Sequence, residues 1–163
     1  MLSEKDFINT VEQHQQILFK VCNMYMDTKA DREDLFQEIL LNAWKGSKNF
    51  KGDSKFSTWL YSVALNTAIS FFKKEKKIQL TLDSASITHL HDPSDVQQEQ
   101  LEAMNKAIAE LSAIDKAIVM LYLEDYSYRH VAEIMGITAN NVAVKMNRIK
   151  TILKESSKKH LHQ

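Results

Sequence analysis

Glycine and proline are scarce in this chain: 3 of the first and 1 of the second among 163 residues. Sandwiches, barrels and multi-turn α/β folds need more turn punctuation than that, so helices joined by few connections are expected. Cys22 is the only cysteine, which excludes an internal disulfide framework and any cysteine-built zinc cage. No apolar run reaches the roughly 18 residues of a membrane span. The opening segment MLSEKDF lacks a signal-peptide pattern, and a cytoplasmic protein is expected. A Gly-rich phosphate loop, a metal-spaced His/Glu set and a nucleophile–base signature are all missing. The chain is therefore not expected to be an enzyme, to bind a metal or cofactor, or to take a small-molecule substrate.

Net charge is also missing, with 21 basic and 21 acidic side chains, but the charges are segregated. Residues 1–44 hold 4 basic and 8 acidic groups, whereas residues 45–77 hold 8 and 2. Residues 78–104 hold 5 acids and no base, residues 105–133 hold 3 bases and 5 acids, and residues 134–163 hold 6 and 1. Two basic blocks parted by acidic ones suggest two places that touch phosphate.

At 44% hydrophobic and 26% charged residues the chain is a folding one, long enough for one domain or two small ones. The stretch Lys77 to Val96, KIQLTLDSASITHLHDPSDV, breaks helical periodicity and contains Pro93. Unstructured connections of that length are uncommon inside a domain, so it reads as a linker. Fully extended, it reaches about 65–70 Å, or about two turns of duplex. His89 and His91 within it read as solvated side chains.

Before the linker the pattern predicts three or more helices. A first, from Phe7 to Met26, lines up Phe7, Val11, Leu18 or Ile17, Val21 and Met24, with Cys22 among these core positions. A second, from Asp31 to Lys45, has Leu35, Phe36, Ile39, Leu40 and Ala43 on one face. Asp34, Gln37, Glu38 and Leu41 share the opposite face, an acidic strip with one leucine that suits docking to a basic protein partner. A third, from Ser57 to Lys76, is apolar on two sides, with a polar stripe of Ser62, Asn66 and Lys73 between them. It ends in Lys73, Lys74, Lys76 and Lys77, and the loop ahead of it adds Lys48, Lys51 and Lys55 next to Phe56. Aromatics and an amide among lysines suit an unpaired nucleic-acid strand, whose bases stack or enter pockets while cations hold the backbone.

After the linker, Gln98 to Glu124 reads as one amphipathic segment through Leu101, Met104, Ile108, Leu111, Ile118, Leu121 and Tyr122. Next, Ser127 caps a short helix of Val131, Ile134 and Met135; Gly136 turns the chain and Thr138 caps the following helix. This is a helix-turn-helix layout. In the last helix Val142, Met146, Ile149 and Leu153 share the core face. Asn140, Val144, Asn147 and Thr151 point away from it, among Asn141, Ala143, Lys145, Arg148, Lys150 and Lys154. Amides and apolar groups in a basic rim suit a major groove.

Together these stretches resemble bacterial RNA polymerase sigma factors of the extracytoplasmic-function group. DREDLFQEILLNAWK followed by FKGDSKFSTWLYSVALNTAISFFKKEKK is similar to sigma region two. ELSAIDKAIVMLYLEDYSYRHVAEIMGITANNVAVKMNRIKTIL is similar to region four. The resemblance implies an all-α chain of two small helical domains: region two over residues 1–77, a flexible linker over 78–97 and region four over 98–163. It implies a promoter-specificity subunit whose partners are core RNA polymerase, through the β′ clamp helices and β flap, promoter DNA and an anti-sigma factor. Carried over by position, Asp34, Gln37, Glu38 and Leu41 would bind polymerase. Lys48, Lys51, Lys55, Phe56, Ser62, Asn66, Lys73, Lys74, Lys76 and Lys77 would hold −10 DNA, and Asn66 an unstacked base. Asn140, Asn141, Ala143, Val144, Lys145, Asn147, Arg148, Lys150 and Lys154 would meet −35 DNA. Ala143 and Val144 stand where the family commonly has a basic and a small polar residue, so groove contacts should be more apolar here. A second reading is a stand-alone helix-turn-helix regulator whose N-terminal helices dimerise or sense a ligand.

Overall fold

The structure, a computed structural model, describes residues 2–82 and 96–161. The described residues form eight helices and no strand, as the all-α expectation required. None of these helices is long and apolar enough to cross a membrane. The chain divides into two compact units, with the first break after Lys77.

In the first unit, α1 (Glu4–Gln13) and α2 (Gln15–Tyr25) replace the single helix expected from Phe7 to Met26. His14 causes the break. Its backbone N–H donates to the Val11 carbonyl instead of that of Thr10, and its ring Nδ1 lies 2.9 Å from the Thr10 oxygen. The imidazole thus takes the acceptor that a continuous helix would have used. Buried Tyr25 takes the core position expected for Met24, alongside Leu18, Val21 and Cys22.

Helix α3 (Lys29–Ser47) starts at Thr28, whose hydroxyl accepts from the Asp31 amide at 3.1 Å. Leu35, Ile39 and Ala43 are fully buried on its inner face. The long α4 (Phe56–Leu82) contributes Leu60, Tyr61, Ala64, Leu65 and Ala68 to the same core. Burying each such leucine contributes roughly 1.5–3 kcal/mol against leaving it in water. Rings tie the layers together: Phe7 against Trp44 at 5.1 Å, and Tyr25 edge-on to Phe72 at 5.7 Å. Helix α4 runs to Leu82, so the opening residues of the expected linker are helical. Its remainder up to Asp95, with His89, His91 and Pro93, lies outside the described residues.

From Val96 onward come α5 (Val96–Ala109), α6 (Ala113–Leu123), α7 (Tyr128–Met135) and α8 (Ala139–Leu161). The single segment expected from Gln98 to Glu124 is in fact two helices. Ser112 ends the run, because its hydroxyl accepts from the Asp115 amide and caps α6. The buried face of α5 also differs from the expected stripe. Ala103 and Ala107 are buried, while Leu101 is 61% exposed. Helix α5 packs along α8, and two alanines permit a close approach that leucines would block.

The caps expected at Ser127 and Thr138 are present. Their hydroxyls accept from the His130 and Asn141 amides at 3.1 Å each. Gly136 turns the chain between α7 and α8 at φ +72°, a left-handed conformation that a side chain would strain.

Candidate nucleic-acid interface

The outer face of α3 is as expected: Asp34, Gln37, Glu38 and Leu41 are all exposed. Leu41 is 46% exposed, which makes the strip a surface and not a piece of core. Beside it opens a hollow of about 370 Å³ between α2 and α3, lined by Phe19, Cys22, Arg32, Phe36 and Gln37 among others. Phe19 stacks on Phe36 at 5.3 Å and stays 49% exposed. The Cys22 thiol is pushed up to about 11 by burial, against a smaller opposite pull from Arg32. At neutral pH it is therefore a protonated core group, not a nucleophile.

A second concavity, of about 680 Å³, lies between α3 and α4. It collects Asn66, Lys73 and Lys74 from the expected −10 set and adds Glu38 from the acidic strip. It also brings in Asn42, Thr67, Ser70 and Phe71, which were not expected at the site. Asn66 is exposed there. Thr67 is 8% exposed, and its hydroxyl donates to the Val63 carbonyl at 2.7 Å. The same oxygen accepts from Asn42 Nδ2 at 3.1 Å. Nothing in the local sequence announces Asn42, because its neighbour in space lies 25 residues away.

The rest of the expected −10 set is placed elsewhere. Lys48, Lys51 and Lys55 are exposed on the loop before α4, which turns at Gly52 with φ +79°. Phe56 is half-buried in a ring cluster: Phe50 at 5.8 Å, Trp59 at 5.4 Å and His14 at 5.4 Å. That packing holds the base of the loop in position. Ser62 is half-buried and outside the groove lining. For Lys76 and Lys77 the side chains lie outside the described residues.

In the second unit, α8 buries Val142, Met146 and Ile149 and shows the opposite face to solvent. Asn140, Asn141, Asn147 and Lys154 are exposed, Val144 is 59% exposed, and Ala143 and Lys145 are half-buried. Two of the basic groups are already engaged. Arg148 pairs with Asp115 on α6. The Lys150 ammonium sits 5.0 Å from the centre of the Tyr122 ring. It is held above its ordinary range by Tyr122 first, then Tyr128.

The family model of sigma-70 region 2 matches residues 10–78, and that of sigma-70 region 4 matches residues 101–153. The chain is 25% identical to RNA polymerase sigma factor SigV of Bacillus subtilis (strain 168), covering 86% of this chain and 84% of that protein. It is 26% identical to the ECF RNA polymerase sigma-E factor of Haemophilus influenzae, with 92% and 86% covered. Among solved structures it is similar to the sigma factor RpoE bound to the anti-sigma factor NepR from Bartonella quintana. That likeness has a TM-score of 0.69 at 23% identity, covering 94% of this chain and 98% of that one.

Proposed function

The chain belongs to the sigma-70 family, in its extracytoplasmic-function group, and from that premise we propose a division of labour between its two units. It is a sigma subunit of bacterial RNA polymerase, which directs transcription initiation by joining core polymerase and recognising promoter DNA. In the division proposed, residues 1–77 dock on polymerase through Asp34, Gln37, Glu38 and Leu41 and open the −10 element. Residues 78–97 link the units, and residues 98–163 read the −35 element through the exposed face of α8. The likeness to a sigma factor solved with an anti-sigma partner supports such a partner for this chain too. The stand-alone regulator is not favoured, since both matched models are sigma regions.

One observation supports the −10 assignment above the others. Asn66 is exposed on a helix that is apolar on two sides, in a groove that also contains Phe71, Lys73 and Lys74. An amide with an aromatic and two cations offers an unpaired base a hydrogen bond, a stacking surface and charge for its phosphate. The test is open-complex formation by holoenzyme containing Asn66→Ala. Opening of native duplex promoters should fall while the melting temperature of the free protein holds. Normal opening would remove the assignment.

A further inference from the structure

The groove between α3 and α4 contains two amides, and the fold fixes the orientation of one of them. Thr67 has a single hydroxyl hydrogen, and a carbonyl oxygen only accepts, so that hydrogen goes to Val63 at 2.7 Å. Toward Asn42 the Thr67 oxygen can then only accept. This places the Asn42 nitrogen, not its oxygen, on the Thr67 side at 3.1 Å. The opposite flip would set two acceptors against each other. Asn42 Oδ1 is therefore directed away from Thr67, and it has no hydrogen-bond partner among the described residues. Glu38, one turn earlier on α3, lines the same groove. The α3 side thus presents a held amide acceptor and a carboxylate, while the α4 side presents Asn66, Lys73 and Lys74.

Resting on the reading of this groove as the seat of an unpaired base, we propose that Asn42 and Glu38 select a base with an exocyclic amino group at the pyrimidine C4 or purine C6 position. Adenine and cytosine are accepted and thymine is rejected, and Thr67 is the positioning residue that holds Asn42 for the task. An exocyclic amino group is a donor that both acceptors can share. Thymine has a carbonyl at the corresponding place, so acceptor would face acceptor, and buried polar groups left without partners are costly. Asparagine opposite adenine and a carboxylate opposite the cytosine amino group follow the same logic in duplex grooves.

The test uses holoenzyme and promoter DNA already unpaired over the −10 element. 5-Methylcytosine and thymine are exchanged at each unpaired non-template position in turn; they share ring size and methyl group and differ along the pairing edge. Adenine against purine repeats the comparison with a larger ring. At one position the amino-bearing base should bind about tenfold tighter. Thr67→Val keeps the shape without the hydroxyl and should bring the ratio below about two, while Thr67→Ser should restore it. A full ratio in Thr67→Val overturns the positioning role. Equal binding of both bases at every position, with opening still impaired by Asn66→Ala, overturns the amino-group selection and leaves the base-groove reading intact. Equal binding with normal opening by Asn66→Ala removes both.

Discussion

Arg148 Nη2 on α8 lies 3.2 Å and 3.3 Å from the two carboxylate oxygens of Asp115 on α6. The Asp115 side chain is 8% exposed, whereas that of Arg148 is 56% exposed. Asp115 also sits in the first turn of α6, where a negative charge is favoured by the helix dipole. The pair thus fixes the start of α6 against the middle of α8, and with it the roll of the helix proposed to enter the −35 groove.

Removing Arg148 leaves a nearly buried carboxylate without its cation, so Arg148→Ala should destabilise the second unit by ~1–3 kcal/mol. Arg148 is itself half in water, which keeps the figure below that of a fully buried pair. Asp115→Asn should cost less, because it removes the charge along with the partner. Thermal unfolding of the full chain followed by circular dichroism checks this, with the second unit's transition moving down. If Arg148→Ala melts like the parent and only DNA binding suffers, the arginine is a groove contact and not a brace.

The docking strip is tested best away from the groove, which excludes Glu38 as a probe since it faces both. Leu41→Ala combined with Asp34→Lys should weaken binding to core polymerase by upward of ~2 kcal/mol, about thirtyfold. Both positions are exposed, so helicity should be unchanged. Undiminished holoenzyme assembly by the double variant would reject the strip as the polymerase face.

Periodicity reached most of the fold because burial follows it. Leu35, Ile39 and Ala43 recur at helical spacing and are all fully buried. Ser127, Gly136 and Thr138 were legible for a different reason: capping hydroxyls and a left-handed glycine act within one turn. What escaped the sequence depends on neighbours in space. The break at His14 requires its ring to win the Thr10 carbonyl. The buried alanines of α5 reflect how near α8 comes, which a hydrophobicity pattern cannot weigh. At the site, Asn66 and the lysines stood out by contrast with an apolar helix. Asn42 did not, because its role depends on a threonine from another helix. The pairing of Arg148 with Asp115, 33 positions earlier, was likewise not legible from the sequence.

The lysines of the groove should behave unlike Asn66. Phosphate binding by lysine is blind to sequence and acts by releasing counterions. Lys73→Ala with Lys74→Ala should weaken binding to every unpaired template alike. The slope of log affinity against log salt should become shallower by about 0.7 for each single-strand phosphate no longer neutralised. A salt titration of holoenzyme on templates differing only in −10 sequence checks both points. A sequence-selective weakening, or an unchanged slope, would take these lysines off the phosphate path.

Glu75 on α4 is an acid set near two others, Asp31 and Asp34. Desolvation chiefly, then the nearby charges of Asp31 and Asp34, holds its carboxyl above the usual carboxylate range. An acid whose folded pKa is raised binds its proton more tightly in the folded state than in the unfolded one. Folding is then favoured while the group is protonated, and that advantage is lost as pH rises from the ordinary glutamate value through the folded one. At neutral pH Glu75 is an ionised group in an unfavourable place. Glu75→Gln, which keeps the shape and removes the charge, should therefore raise the melting temperature near pH 7. The gain should vanish as pH falls below the ordinary carboxylate range, where the parent is protonated in both states. Asp34→Asn should give part of the same benefit by removing one of the two repelling charges. Melting curves of the three proteins from about pH 3 to pH 8 decide the matter. A Glu75→Gln protein that is less stable than the parent at pH 7 would mean that the carboxylate is held by a favourable partner, and that the desolvation argument has the wrong sign.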